Sequence, residues 1–159
     1  MSVRLRDFRT DDPAWIIAAH GEVYRRDFGF DDAFTHSIDE KVRQWLARAD
    51  PLKRMWIAEW DGERVGCIAI SDAGDATAFL NFVLVLPAYR RRQLGRHLLA
   101  TALDHARRCG QREARLETYA CLEAARALYH RVGFRRIASC PPEPRYGRLI
   151  VSEYWRLPL

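Results

Sequence analysis

Residues 3 to 8 (VRLRDF) alternate apolar and charged side chains, the pattern of a half-buried first strand. They run into Thr10-Asp11-Asp12-Pro13, a helix-start signal with proline near the first helical position. Trp15, Ile16, Ala19 and Val23 then recur at helical spacing, so a helix from about Asp12 to Arg26 should bury that face. Phe28-Gly29-Phe30-Asp31-Asp32 reads as a turn. A second helix, about Ala33 to Ala49, turns Ile38, Val42, Trp45 and Leu46 inward before Asp50-Pro51 stops it.

The period then changes. MWIAEW (55 to 60) and RVGCIAI (64 to 70) are two strands around Asp61-Gly62, a pair that tolerates the positive φ of a hairpin turn. AFLNFVLVL (78 to 86) is a third strand, closed by Pro87. A long amphipathic helix follows from about Arg92 to Cys109, with Leu94, Leu98, Leu99, Ala102, Leu103 and Ala106 as its buried stripe and Gly110 as its cap. After it come a strand (112 to 118), a helix (Leu122 to Val132, closed by Gly133) and a strand (134 to 140). PPEPRYG (141 to 147) is the least regular stretch, and one last strand runs from Arg148 to Leu157. This order predicts an α/β fold: a mixed central sheet with helices on both faces, without repeats, linker or second domain.

Length and composition agree with that picture. A chain of 159 residues is the size of one domain, and 48% hydrophobic with 30% charged residues is ordinary globular composition. Cys67, Cys109, Cys121 and Cys140 are irregularly spaced, which argues against a zinc or dithiol motif and for reduced, mostly buried thiols. No apolar leader and no window near 18 uninterrupted apolar residues is present, so a cytoplasmic, non-membrane protein is expected. The net charge of +5 is carried almost wholly by arginine, since Lys41 and Lys53 are the only lysines. Arginine content is the only feature favouring nucleic acid, and it is spread along the chain; Arg90-Arg91-Arg92 is the one dense cluster.

That cluster lies at the most informative junction. An apolar strand ends at Pro87, a short basic turn follows, and a strong helix starts within it. Free amides and the dipole at a helix N-terminus, with arginines around them, make an anion site that suits a pyrophosphate. The segment Arg90-Arg91-Arg92-Gln93-Leu94-Gly95 resembles motif A, Q/R-x-x-G-x-G/A, of the GNAT superfamily, the Gcn5-related N-acetyltransferases. Gln93 stands where that pattern has glycine. Downstream, Ala125 to Phe134 contains Leu128-Tyr129 and Gly133-Phe134, similar to the family's A-x-x-L-Y-x-x-x-G-F.

The resemblance covers nearly the whole chain and implies the GNAT fold, its sheet splayed at the CoA strand. It implies acetyl-CoA held by Val83, Leu84 and Val85 along the pantetheine, and by Arg90, Arg91, Arg92, Gln93, Leu94, Gly95 and Arg96 at the pyrophosphate. Tyr129 would protonate the leaving thiolate, in direct transfer to an amine of a small molecule or peptide, without a metal and without an acetyl-cysteine. Glu117 is one base candidate, with Glu22, His20 and Tyr24 as others, and Asn81 could orient a water. His97, His105 and His130 read as solvated. His20 to Tyr24, Phe28 to Phe30 and Arg148 to Leu157 look most like the acetyltransferase half of bacterial chains in which a GNAT domain follows a MarR-type regulator; the regulator has no counterpart in these residues. The alternative function is a CoA-binding regulatory or interaction module without turnover, and a homodimer is the assembly left open.

Overall fold

The computed structural model describes residues 3–159. The alternating opening forms β1 (Val3–Asp7), and α1 (Asp12–Phe28) and α2 (Asp32–Ala47) follow. The meander β2 (Arg54–Trp60), β3 (Glu63–Gly74) and β4 (Thr77–Val85) leads through a 3-10 turn at Pro87–Tyr89 into α3 (Leu94–Arg108). β5 (Glu113–Tyr119), α4 (Glu123–Val132), β6 (Arg135–Ser139), the short β7 (Glu143–Arg145) and β8 (Arg148–Ile150), and β9 (Ser152–Pro158) complete the chain.

Seven strands form one sheet in the order β1-β2-β3-β4-β5-β9-β6, antiparallel except for the parallel pair β4 and β5. Strand alternation sends side chains to two cores. Trp56, Ala58 and Ile68 meet Leu98, Leu99 and Tyr129 on the α3/α4 side. Met55, Ile57 and Cys67 meet Ile16, Phe34 and Val42 on the α1/α2 side. The six residues expected on the inner stripe of α3 are all buried. Its end is a Schellman cap, with Gly110 at φ 81, its N–H donating to the Arg107 carbonyl and that of Gln111 to Ala106.

Several expectations are corrected. Helix α1 continues to Phe28 because Gly29, at φ 70, is what closes it. Leu46 is exposed, since Trp45 takes the inward place and donates from Nε1 to the Ile70 carbonyl. The stretch 141 to 147 is not irregular: β7 and β8 pair around Tyr146 and Gly147, both at positive φ (59 and 79), the geometry of a type I′ turn. Tyr146 pins this hairpin by packing against Phe30, Phe34 and Tyr119. The last strand is interrupted at Val151, whose carbonyl accepts from the Ala120 N–H, so β8 pairs with β7 and β9 with β5 and β6. Of the cysteines only Cys67 is buried; Cys109 and Cys140 are exposed. His105 is half-buried, its Nε2 3.0 Å from the Leu52 carbonyl, while His97 and His130 are exposed.

Two buried carboxylates tie elements together. Asp12, at the start of α1, takes both nitrogens of Arg6 (2.8 and 3.0 Å) and the Arg9 amide (2.6 Å). Glu153 on β9 is met by Arg126, Arg136 and the Trp155 indole. Each is charged and fully partnered, the condition under which burial of a carboxylate is tolerated.

The decisive feature for function is a split. β4 and β5 pair only where Thr77 to Phe79 meet Glu113 to Arg115; beyond Phe79 the strands diverge. A bulge prepares this. Between the pairs Cys67–Leu84 and Ala69–Asn81, β3 spends one residue and β4 two, with Phe82 at φ 54. The Cys67 thiol donates to the displaced Phe82 carbonyl at 3.1 Å.

Candidate active site

Two cavities open at the split. The larger, about 970 Å³, lies beside the second half of β4, the basic turn and the starts of α3 and α4. The smaller, about 310 Å³, is enclosed by α1, α2, β4 and β5. Tyr24, Val83, Leu122, Ala125 and Tyr129 line both, so the two meet at the splayed strands.

The larger cavity is built for an anion at one end. Helix α3 starts without any side chain capping it, and its first-turn amides at Leu94, Gly95 and Arg96 have no backbone partner among the described residues. Unsatisfied amides together with the helix dipole favour a phosphate. Arg90, Arg91, Arg96, Arg26 and Arg131 stand around it. Gln93 occupies the left-handed region at φ 63 and Arg91 does so too, also at φ 63. A motif glycine would adopt that conformation freely; here a residue with a Cβ holds it. Gly95 is crowded instead, since a Cβ there would stand 2.8 Å from Cδ2 of Leu128 and that side chain would have to shift. At the other end the β5-facing edge of β4 is unpaired from Leu80 onward, and Val83, Leu84 and Val85 line the cavity along it. An open edge of this kind can pair with an extended amide-bearing chain. These features fit the arm and pyrophosphate of CoA.

Of the residues the sequence marked, Val83, Leu84, Val85, Arg90, Arg91, Gln93, Leu94, Gly95, Arg96 and Tyr129 border the larger cavity. Arg92 does not: its guanidinium lies over the rings of Trp60 (4.7 Å) and Tyr89 (5.7 Å), which fastens the turn to the end of β2. Cys121, which no motif marked, does line the cavity, but burial raises its thiol pKa and keeps the sulfur protonated.

Tyr129 is buried between Phe134 and Trp155. Desolvation pushes its phenol well above the usual range, with no hydrogen bond contributing, so the hydroxyl is a protonated donor facing the junction. Glu117 borders the smaller cavity; the Tyr154 hydroxyl donates to its Oε2 at 2.7 Å, and that bond pushes the Tyr154 phenol up to about 12. Oε1 is left as an acceptor toward the cavity.

The other base candidates separate on geometry. His20 borders the smaller cavity, but its Nδ1–H is held by the Ile16 carbonyl at 2.7 Å and burial lowers its pKa to about 4, leaving a weak base. Burial raises the Tyr24 phenol, which argues against a phenolate. Glu22 faces a separate cleft between α1 and α2 with Gly21 and Arg25. The Asn81 amide is engaged by Ser71 Oγ at 3.1 Å and the Phe79 carbonyl at 3.2 Å. The sequence missed Asp27, Lys41 and Thr118 at these cavities, and Tyr154 as the partner of Glu117, because no local spacing distinguishes them from surface or strand residues.

Residues 17–134 match the Acetyltransferase (GNAT) family. "Probable N-acetyltransferase camello" of Xenopus tropicalis is 37% identical over 83 residues, covering 51% of this chain and 38% of that protein. "Uncharacterized N-acetyltransferase YjgM" of Escherichia coli is 33% identical over 92 residues, covering 56% and 55%. These matches thus span about half or less of the curated relatives' length. Among solved structures, yncA of Salmonella typhimurium, carrying its cofactor acetyl-CoA, superposes with a TM-score of 0.78 at 23% identity over 99% of this chain and 94% of that one. The ribosomal-protein-alanine N-acetyltransferase of Brucella melitensis gives 0.79 at 18% identity over 98% and 99%. With the split sheet, the uncapped helix and its arginines, and a match to three quarters of its length, this chain belongs to the GNAT acetyltransferase family.

Proposed function

We propose that the protein transfers the acetyl group of acetyl-CoA to an amine by direct attack, both substrates being bound at once on either side of the split. The observation that carries this is Tyr129, a buried phenol that walls both cavities and keeps its proton.

Acetyl-CoA supplies the activated acyl carbon and a thiolate leaving group. The chain's own groups do the rest. The amides of Leu94, Gly95 and Arg96, with Arg90, Arg91 and Arg96, bind the pyrophosphate, and the open edge at Val83 to Val85 orients the pantetheine. Orientation of this kind, with both reactants held, removes much of the entropic barrier. Glu117, steadied by Tyr154, accepts the proton the amine loses as the new C–N bond forms. Tyr129 gives its proton to the sulfur as the C–S bond breaks.

The acceptor is a small-molecule or peptide amine, because the smaller cavity is closed in by helices α1 and α2. The four free cysteines suit a reducing cytoplasm, and the sequence likeness to MarR-linked GNAT halves supports a place beside that subfamily. Strand β6, exposed along its whole length at the sheet edge, offers a surface for a homodimer. The test of the central reading is amine-dependent release of the CoA thiol from acetyl-CoA. Saturable acetyl-CoA binding without such release would leave a CoA-binding module in place of an enzyme.

A further inference from the structure

We propose that the acceptor is a small amine carrying its own carboxylate, as a free amino acid does, with Lys41 holding the anion and Thr118 and Glu117 at the amine end. This rests on the acetyl-transfer reading of the same site.

Three observations lead there. The first is an orphan: Thr118 on β5 is 4% exposed, borders the smaller cavity, and its Oγ1 has no hydrogen-bond partner. Buried hydroxyls are almost always bonded, which makes Thr118 a candidate contact for a bound acceptor.

The second is charge. The two lysines of the chain differ in employment. Lys53 is spent on the carbonyls of Trp45, Leu46 and Arg48 at the end of α2. Lys41 borders the cavity from α2 with no ion pair among the described residues, and its charge reaches far enough to help depress His20. Arg48, one turn beyond Gln44 on the same rim, is already committed to Asp50 and the Asp72 carbonyl. On the β5 wall the charge is negative, from Glu117. A cavity cationic at its helical rim and anionic at the strand complements a zwitterion.

The third is size. About 310 Å³ is roughly ten water volumes, and Phe34, Trp45, Phe82 and Tyr119 wall it, so it suits a compact molecule with an apolar side chain.

The experiment compares kcat/KM for free methionine and phenylalanine, their amides, and the matching amines without carboxylate, all with acetyl-CoA. The expected result is a preference of about two- to fivefold for the acid over its amide, the scale of an exposed charge contact. Lys41→Gln should collapse that ratio to about one, and Lys41→Arg should keep it. Thr118→Val, which replaces the hydroxyl by a methyl, should raise KM for acid and amide alike, with no fall in melting temperature. A preference for the amide or the plain amine, an acid-to-amide ratio that Lys41→Gln leaves in place, or a destabilised Thr118→Val with unchanged KM would overturn the proposal. Transfer to plain amines alone would sink the substrate class and leave acetyl transfer standing. No thiol release with any of them, acetyl-CoA still raising the melting temperature, would overturn both.

Discussion

Nη1 of Arg90 donates to Oδ2 of Asp27 at 3.0 Å, joining the basic turn to the end of α1 beside the larger cavity. A carboxylate thus stands against the arginine that heads the phosphate-binding motif. Both side chains are partly exposed (39% and 22%), so the pair adds little to stability. Its larger effect is on the ligand, because an incoming pyrophosphate must compete for Arg90 and approach Asp27.

Asp27→Asn should therefore tighten acetyl-CoA binding by about two- to fivefold at low ionic strength, with the gain shrinking as salt screens it. The change in folding stability should stay under about 1 kcal/mol. Calorimetric titration at two salt concentrations checks this. Weaker binding in the variant would mean that Asp27 serves to aim Arg90.

Gln93 holds φ 63 where the motif A pattern it resembles has glycine. The left-handed conformation costs a residue with a Cβ roughly 1–2 kcal/mol, and glycine escapes that at some loss of chain entropy on folding. Gln93→Gly should accordingly stabilise the protein by up to about 1 kcal/mol and preserve or tighten acetyl-CoA binding, measured by urea midpoint and titration. A marked loss of affinity would show that the glutamine side chain itself contacts the ligand.

Tyr129→Phe keeps the ring among Phe134 and Trp155 and deletes only the proton donor. Acetyl-CoA affinity should change less than about twofold while kcat falls roughly 10²-fold, the lower part of the range for a general acid, since thiolate leaves readily. Unchanged kcat would remove Tyr129 from the mechanism. A parallel loss of about 1 kcal/mol in stability would mark the hydroxyl as structural.

His20 makes stability pH-dependent. Burial lowers its pKa from 6.5 to about 4, so between those values the unfolded chain binds a proton that the folded chain refuses. Stability is then full above pH 6.5 and falls as pH drops toward 4, by up to about 3 kcal/mol. The carboxyls of Asp12 and Glu153 are held low by Arg6 and Arg126 against the opposing pull of burial, and they act in a lower window. His20→Asn can still donate to the Ile16 carbonyl and cannot take up the proton. It should flatten the decline between pH 6.5 and 4 in urea midpoints; an unaltered slope would assign it to other groups.

Much of this molecule was legible along the chain. The 3.6-residue stripe from Leu94 to Ala106 and the Asp61-Gly62 hairpin are properties of single elements, set by local sterics and by which face must leave water. The GNAT motifs were legible for the same reason, since a turn, a helix start and a tyrosine within one helix are short-range patterns. Where neighbours in space decided, local reading failed. Leu46 yielded to Trp45, Tyr146 turned an apparent loop into a docked hairpin, and Arg92 left the phosphate turn for Trp60.

The site itself belongs to that second kind. Phe82 takes a positive φ because β4 must bulge against β3, and the cavities exist because β4 and β5 part after three paired residues. Thr118, buried on β5 just past the last β4–β5 pair, has an unpartnered hydroxyl beside the smaller cavity. Periodicity can say which face of a strand is buried, but not which strand stands beside it, how long they stay paired, or what polar group goes unmet in the gap between them. Those depend on long-range packing of α1, α2 and α4 against opposite sides of one sheet.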